Sequence, residues 1–210
     1  MNQRHQGAID LVTRRGFGLT AASMMFSSAK VLAAEEKPLR AAMVGTGHGH
    51  AASKARVLSS LPHYDFAGVC RPDPKDPMHG DAFASVRWLQ LEDILNDANI
   101  DVVAVEGADP QWNLEHAWRA VRAGKHVHLD KPPGADFAGF RDLLAEAARR
   151  GLQVQMGYQW RYHPGMRRLL EAARNGWLGE IYRFRAIIDK PILADERQHL
   201  ARYKGGMMFS

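Results

Sequence analysis

A glycine-rich turn follows the first apolar run of the chain and is the segment best suited to hold an anion. After Ala41-Ala42-Met43-Val44 the sequence continues as Gly45-Thr46-Gly47-His48-Gly49-His50. In a strand, turn and helix of this kind, Gly45 permits the tight turn and Gly47 lets the backbone approach a pyrophosphate, at which the helix directs its N–H groups. The pattern predicts that these six residues take part in binding a dinucleotide.

Two histidines in the turn depart from the usual pattern. His50 stands where Gly-x-Gly-x-x-Gly has its third glycine, although Gly49 beside it keeps the loop slim. Contact of His48 and His50 with the pyrophosphate is one interpretation, and simple solvation of both imidazoles is the other.

The residues after the second predicted strand, at 66–70, bear on the choice of cofactor. At this point an acid binds the ribose 2′-hydroxyl of NAD, whereas an arginine accepts the 2′-phosphate of NADP. The chain has Arg71 here and Asp73 two positions later. Three interpretations stay open: Arg71 accepts a 2′-phosphate or stacks on adenine, Asp73 turns inward for NAD, or both are ordinary loop charges.

The elements that must position these residues alternate between strand and helix. Apolar runs predict strands at 39–44, 66–70, 86–89, 101–105, 126–129 and 152–156. Helical patterns lie between them at 52–58, 92–96, 114–123 and 137–150. This alternation predicts an α/β fold, a doubly wound parallel sheet of Rossmann type, over residues 38–157.

The residues after Gly157 have a different pattern of predicted secondary structure. A helical pattern at 164–175 and an alternating run at 181–188 predict the start of an α+β domain with an open antiparallel sheet, at 158–210. About 50 residues are too few to complete a substantial independent core. We therefore expect one whole domain and part of a second.

Composition and charge exclude several classes of protein. With 46% hydrophobic and 24% charged residues, the 210-residue chain is neither disordered, collagen-like nor held by disulfides, and its single cysteine is Cys70. The net charge is +5, but four basic residues and one acidic residue place +3 of it within residues 1–34. The small remainder gives no reason to expect a nucleic-acid partner.

The N-terminal segment has the features of an export signal. Thr13-Arg14-Arg15-Gly16-Phe17-Gly18-Leu19 matches the twin-arginine pattern, and small residues follow at Ala33 and Ala34. The intervening apolar stretch is shorter than the about 20 residues of a membrane-spanning helix, so no stable membrane span is expected. We predict that residues 1–34 engage the twin-arginine export machinery and that the protein is periplasmic; a basic amphipathic helix that stays on the protein is the alternative.

Four motifs in a fixed order make the chain resemble the Gfo/Idh/MocA family of nicotinamide-dependent oxidoreductases. They are Gly45-Thr46-Gly47, Ala123-Gly124-Lys125-His126-Val127, Asp130-Lys131-Pro132 and Gly157-Tyr158-Gln159-Trp160-Arg161-Tyr162-His163-Pro164. The resemblance covers about residues 38–210. It implies NAD or NADP as cofactor, an N-terminal Rossmann domain, and a C-terminal α/β domain whose open antiparallel sheet covers the substrate.

The resemblance also implies roles for single residues. In the family the tripeptide is usually Glu-Lys-Pro, so Asp130 carries over as the acid near the nicotinamide ribose and Lys131 as the catalytic lysine near substrate and nicotinamide. A lysine at the carboxyl end of a parallel strand lies where ligands bind, and its ammonium can polarise a carbonyl or relay a proton. Tyr158 and Arg161 are predicted substrate contacts, with an ion pair at the domain junction as the other interpretation of Arg161. No metal site is predicted.

Two segments depart from the family pattern. The loop at 107–113 lacks the Thr-Pro and histidine of many relatives, which leaves Glu106 and Trp112 as local substitutes for cofactor contacts. The segment 205–210 resembles the one just before the family's Asp-x-Gly-x-His stretch, which commonly supplies the general acid or base. We therefore expect this chain to hold only part of the substrate domain.

The predicted function is hydride transfer between a nicotinamide cofactor and a sugar or sugar-like polyol. One alternative is an NAD-dependent glycoside hydrolase that works by transient oxidation and elimination. A second alternative is a non-catalytic nucleotide-binding remnant. A homo-oligomer is expected if the full second domain is present.

Overall fold

The computed structural model describes residues 37–78, 80–187, 189, 191–194, 197–198 and 201. The predicted export signal at 1–34 lies outside these residues. Within them, every helix is too short or too polar to cross a membrane.

A parallel sheet of five strands forms the centre of the described chain. The strands are β1 (Leu39–Val44), β2 (Tyr64–Cys70), β3 (Val102–Val105), β4 (His126–Leu129) and β5 (Val154–Met156). The helices are α1 (Ala51–Ser60), α2 (Leu91–Asn96), α3 (Pro110–Arg122), α4 (Phe137–Arg149) and α5 (Pro164–Arg174), with a 3-10 turn at Gln159–Tyr162. The strand order β2-β1-β3-β4-β5, with every neighbouring pair parallel, confirms the predicted Rossmann-type fold.

Helices bury both faces of this sheet because successive strand residues point to opposite sides. On β1, Ala42 and Val44 belong to the core layer that also contains buried residues of α2, α3 and α4. Ala41 and Met43, which alternate with them along the strand, pack instead with the buried residues of α1. The near-continuous apolar run of β1 follows from this burial on two sides.

The carboxyl ends of the strands are in register. Cross-strand pairing aligns the last residues of the five strands in the order Cys70, Val44, Val105, Leu129 and Met156. The next residue of each strand therefore lies along one edge of the sheet, in the order Arg71, Gly45, Glu106, Asp130 and Gly157. The direction of chain winding reverses between β1 and β3, and open α/β sheets bind ligands at such a point.

Two predicted elements differ from the structure near this edge. The run at 86–89 does not form a strand but a single bridge, in which Trp88 pairs with Val69. Helix α3 begins at Pro110, four residues before its predicted start, because the Asp109 carboxylate accepts the N–H of Gln111 at 2.8 Å and proline is favoured in the first helical turn.

The segment after the sheet is helical as predicted, but the described residues of the expected strand do not form one. Helix α5 ends at Arg174, one residue before the predicted end. The described part of the run at 181–188, residues 181–187, has no strand hydrogen bonding. A strand needs a neighbouring strand to pair with, and the described residues offer none to this segment.

Candidate cofactor-binding site

The glycine turn passes so close to the loop after β3 that side chains are excluded. Gly45 has φ of +89°, and a Cβ on it would lie 2.5 Å from the backbone nitrogen of Gly107. The two segments are also joined directly, since the His48 N–H donates to the Glu106 carbonyl oxygen at 2.9 Å. Glycine at position 45 therefore meets a conformational and a steric requirement together.

A carboxylate sits in the bend of this turn. Asp76, in the loop after β2, accepts the backbone N–H groups of Thr46 at 2.6 Å and Gly47 at 2.8 Å on Oδ2. Its Oδ1 accepts the Ala108 N–H at 2.9 Å. Asp76 is 9% exposed, so three backbone donors from two strand ends converge on one buried anionic group. Asp76 was not among the site residues predicted from the sequence.

The loop after β3 is held by Asn113, which was also not predicted from the sequence. Asn113 accepts the Gly107 N–H at 2.8 Å and donates to the Gly107 carbonyl oxygen at 2.9 Å. Trp112, expected as a substitute cofactor contact, packs its ring against Gly107 and stacks on His116 at 3.7 Å between ring centroids. Both side chains thus fix the loop that supplies the third donor to Asp76.

A lysine ammonium lies at the centre of a buried polar cluster beside the turn. Lys54, in the first half of α1, donates to Asp130 Oδ2 at 2.7 Å, approaches His128 Nε2 at 2.6 Å, and pairs with Glu106 Oε1. An ammonium has three N–H donors, and these three acceptors use all of them. We call Lys54, Glu106, His128 and Asp130 the Lys54 cluster; it ties α1 to the ends of β3 and β4.

The two carboxyl groups of the Lys54 cluster differ in charge near neutral pH. Burial raises the pKa of Glu106 to about 8, although the Lys54 ammonium opposes the shift. Burial also disfavours charge on Asp130, but a hydrogen bond from His50 and the charge of Lys54 outweigh it and hold the pKa of Asp130 well below its usual range. Asp130 is therefore the ionised partner of Lys54, and Glu106 is mostly neutral, with its buried Oε2 lacking a hydrogen-bond partner among the described residues.

The turn histidines contact Asp130. His48 Nδ1 lies 3.4 Å and His50 Nδ1 lies 3.2 Å from Asp130 Oδ2. His48 Nδ1 also accepts the His50 N–H at 3.1 Å, and burial lowers the pKa of His48 to about 4. A neutral His48 therefore supports the turn from inside, while His50 remains partly exposed at the mouth of the site.

The same side chains contain potential metal ligands. His48, His50 and Asp130 form one trio with ligand atoms within 4.8 Å, and Glu106, His128 and Asp130 form another. The second trio already surrounds the Lys54 ammonium. The Lys54 ammonium is therefore the cation that lies between these groups.

The predicted cofactor residues Arg71 and Asp73 lie in different places. Arg71 lines a cavity of about 790 Å³ at the end of β2, together with Cys70, Pro72, Pro74, Met78, Trp88, Leu89, Gln90, Leu91 and Glu92. Asp73 lines a separate cavity of about 170 Å³ beside Asp76, and its carboxylate accepts the Lys75 N–H at 2.8 Å. Only Arg71 borders the larger cavity, which is where the adenosine half of a dinucleotide would lie in a Rossmann fold.

A second cleft lies between α1 and the ends of β4 and β5. Its volume is about 360 Å³, and its lining is His50, Ser53, Lys54, Val57, His128, Asp130, Gln155, Met156, Gly157, Gln159 and Tyr162. Tyr162 accepts the Gln155 amide N–H at 3.0 Å. Of the two predicted substrate contacts, Tyr158 is half exposed and does not line this cleft, and Arg161 borders a different depression along α5.

Lys131 follows Asp130 directly, and its backbone N–H donates to Asp130 Oδ1 at 2.7 Å. The Asp130 carboxylate thereby holds the start of the Asp-Lys-Pro segment at the edge of the sheet. The partly buried Lys131 is the predicted catalytic group, and the structure puts it at the carboxyl end of β4, as expected.

The donor set fits a dinucleotide cofactor. Backbone N–H groups converge on one carboxylate, as they could on a phosphate, at the point where the sheet reverses its winding. Gly47 leaves no room there for a side chain, because an added Cβ would overlap the Asp76 carboxylate. A cavity for the adenosine half adjoins on the β2 side.

Comparison with known proteins agrees with this geometry. The family model for Gfo/Idh/MocA proteins, described as an oxidoreductase family with an NAD-binding Rossmann fold, matches residues 39–158. This chain belongs to the Gfo/Idh/MocA oxidoreductase family and carries its NAD-binding fold.

Similar proteins include dehydrogenases. D-glucoside 3-dehydrogenase of Escherichia coli is 27% identical over 150 residues, which cover 69% of this chain and 42% of that protein. An uncharacterised oxidoreductase of Schizosaccharomyces pombe is 27% identical over 157 residues, 73% of this chain and 42% of that protein. The structure of scyllo-inositol dehydrogenase from Lactobacillus casei, with bound NAD(H) and scyllo-inositol, has a TM-score of 0.57 at 21% identity and covers 69% of this chain and 43% of that one. The chain thus spans about two fifths of the length of these relatives.

Proposed function

We propose that the protein is a nicotinamide-dependent oxidoreductase that acts on a sugar or sugar-like polyol. The observation that carries the proposal is the convergence of the Thr46, Gly47 and Ala108 N–H groups on one anion where the sheet reverses its winding. The dehydrogenase named for D-glucosides among the similar proteins supports the substrate class.

The glycine turn would hold the cofactor through its pyrophosphate. Thr46 and Gly47 offer N–H groups to the phosphates, and the absence of a side chain at Gly47 allows the close approach. Asp130, ionised and fixed by Lys54, offers a carboxylate to the hydroxyls of the nicotinamide ribose. When bound, the nicotinamide ring supplies or accepts the hydride.

Lys131 would act on the oxygen of the reacting carbon. In the direction of reduction, the Lys131 ammonium would donate a hydrogen bond and then a proton to the oxygen of the substrate carbonyl. The polar cleft beside Asp130 supports a substrate rich in hydroxyls, since Gln155, Gln159 and Tyr162 along its wall offer hydrogen-bonding groups.

Arg71 favours NADP over NAD. Its guanidinium borders the adenosine cavity, whereas the Asp73 carboxylate is turned into its own loop. Arginine binds phosphate through several N–H donors at once, so a 2′-phosphate would gain a charge-assisted contact that a 2′-hydroxyl lacks.

Cofactor binding is the first test. At 100 times its Kd a ligand adds about 2.7 kcal/mol of stability, which for a chain of this size raises Tm by about 5–10 °C. We expect NADP to raise Tm more than NAD, and Arg71→Ala to remove the difference. Arg168→Ala on α5, where Arg168 pairs with Glu171, is the matched control and should behave as the wild type. Failure of both cofactors to raise Tm would contradict the proposal.

Turnover is the second test. With a panel of sugars and polyols, cofactor reduction followed by absorbance at the nicotinamide band should stop in Lys131→Met while the cofactor Kd stays within about twofold. Equal turnover in this variant would exclude Lys131 as the catalytic group. Sugar release without net cofactor reduction would instead indicate the glycoside hydrolase.

We also propose that residues 1–34 direct export by the twin-arginine route. The support is the Arg14-Arg15 pair followed by a short, mildly apolar stretch. Replacing both arginines by lysine should retain the protein in the cytoplasm in a cell-fractionation assay. Unchanged delivery to the periplasm would contradict this proposal.

A further inference from the structure

The Asp76 carboxylate uses the backbone donors that the proposed function assigns to the cofactor phosphates. Thr46 and Gly47 each donate their N–H to Oδ2, and Ala108 donates to Oδ1. Donors from the turn after β1 and from the loop after β3 thus meet on one internal anion. A peptide N–H has a single hydrogen, so it cannot bind Asp76 and a phosphate oxygen at full strength together.

The loop that carries Asp76 is fastened over the turn. The Thr46 hydroxyl donates to the Pro77 carbonyl oxygen at 2.9 Å, beside the Asp76 contacts. Within the loop, the Asp76 N–H donates to the Asp73 carbonyl oxygen at 3.0 Å, and Arg71 donates to the Pro74 carbonyl oxygen at 2.9 Å. The carboxylate is therefore held in place by an ordered loop.

We propose that Asp76 is an affinity-determining residue of the cofactor site: its carboxylate occupies the position of a cofactor phosphate and must leave before the cofactor binds. This inference rests on the proposed function of the site. The physical reasons are the shared donors and the repulsion between a carboxylate and a phosphate at such short range. The ligand class it concerns is a dinucleotide with a pyrophosphate group.

Displacement of Asp76 also alters the adenosine cavity. The same loop supplies Arg71, Pro74 and Met78 to the lining of that cavity. Release of the carboxylate frees the middle of the loop while its ends stay attached to β2 and to the residues before α2. Binding of the pyrophosphate and reshaping of the adenosine cavity are therefore coupled steps.

Asp76→Asn tests the inference, with Asp81→Asn as the matched control. Asparagine has the same shape, but its neutral amide offers one oxygen acceptor and cannot repel a phosphate as a carboxylate does. Asp81 lies in the same connection between β2 and α2, and its exposed carboxylate pairs with Arg56. By isothermal titration with NADP and NAD, we expect Asp76→Asn to lower Kd about tenfold and Asp81→Asn to leave it unchanged.

The outcomes separate this inference from the proposed function. If the wild type binds a dinucleotide and Asp76→Asn binds it equally or less tightly, Asp76 merely builds the turn and the inference is wrong. If neither protein binds NAD or NADP, the proposed function fails and the inference fails with it.

Amide hydrogen exchange of the wild-type protein tests the same inference without a variant. Ligands usually slow amide hydrogen exchange at their site, but release of Asp76 should speed the exchange of residues 72–78 when NADP is added, while the glycine turn becomes more protected. Slower or unchanged exchange across 72–78 in the bound protein would overturn the inference.

Discussion

Replacing Glu106 by glutamine tests the charge assignment of the Lys54 cluster. Glu106 is 0% exposed, and burial raises its pKa to about 8 from 4.5. Between these values the unfolded chain releases a proton that the folded chain keeps, so the stability contributed by Glu106 is complete below pH 4.5 and is lost as pH rises towards 8. Glutamine has no proton to lose, so the variant should not show this loss.

The magnitude follows from the size of the shift. One pKa unit corresponds to about 1.4 kcal/mol, so the interval from pH 6.5 to 8 should cost the wild type roughly 1–2 kcal/mol through Glu106. His48 and His128 act in the opposite sense, because burial lowers the pKa of each from 6.5 to about 4. Their contribution is complete above pH 6.5 and is lost as pH falls towards 4. Stability should therefore be greatest near pH 6.5.

Urea unfolding at pH 6.5 and pH 8 measures this difference. The wild type should lose stability over the interval, and Glu106→Gln should stay level. Glu171→Gln is the matched control, since Glu171 is an exposed residue of α5, and its pH dependence should follow the wild type. An equal loss in Glu106→Gln and the wild type would show that Glu106 is ionised in the folded protein at neutral pH, and the assignment would be wrong.

Two further substitutions test the packing of the site by urea unfolding. Lys54→Met should lower the free energy of unfolding by about 3–5 kcal/mol, because it leaves the buried charge of Asp130 unpaired. Arg56→Met removes an exposed ion pair on the same helix and should lower it by less than about 1 kcal/mol. Similar losses in the two variants would contradict the role of Lys54. Gly45→Ala should lower the free energy of unfolding by about 2 kcal/mol or more, since the added Cβ would overlap Gly107. Gly124 has φ of +77° but open space around it, so Gly124→Ala should lower the free energy of unfolding by about 1 kcal/mol. Equal losses would exclude the overlap as the cause.

The alternation of apolar runs was enough to predict the sheet and the edge that carries the site. β1 and β3 end in runs that are buried on both faces and are apolar, and this makes the ends of the strands easy to locate. Gly45 and Asp130 come directly after such runs, and the structure places both at the predicted edge. The run at 86–89 has similar residues but pairs only through Trp88, since apolar composition does not specify how many ladder bonds form.

Residues that reach the site from a distance could not be predicted in the same way. Asp76 lies in a proline-rich loop whose path no periodicity describes, and its partners Thr46 and Gly47 are about 30 residues away in sequence. Lys54 looks like an ordinary solvent-facing residue of α1, because its partners lie 52 to 76 residues further on. The sequence did contain a sign that a buried partner such as Lys54 was needed. Glu106 and His128 are polar residues beside the buried apolar residues of β3 and β4, and buried polar groups need a hydrogen-bond partner inside the fold.

The charges of the Lys54 cluster are consistent with a neighbouring anion site. At neutral pH the cluster contains one ammonium, the ionised carboxylate of Asp130, a mostly protonated Glu106 and a neutral His128, since burial lowers the pKa of His128 to about 4. Its net charge is then close to zero although it contains two acids. A second ionised carboxylate there would repel a pyrophosphate bound at the adjoining turn, and a missing ammonium would do the same. Burial, which raises the pKa of Glu106, and the three contacts of Lys54 together keep these acids from repelling the pyrophosphate that we propose binds at the turn.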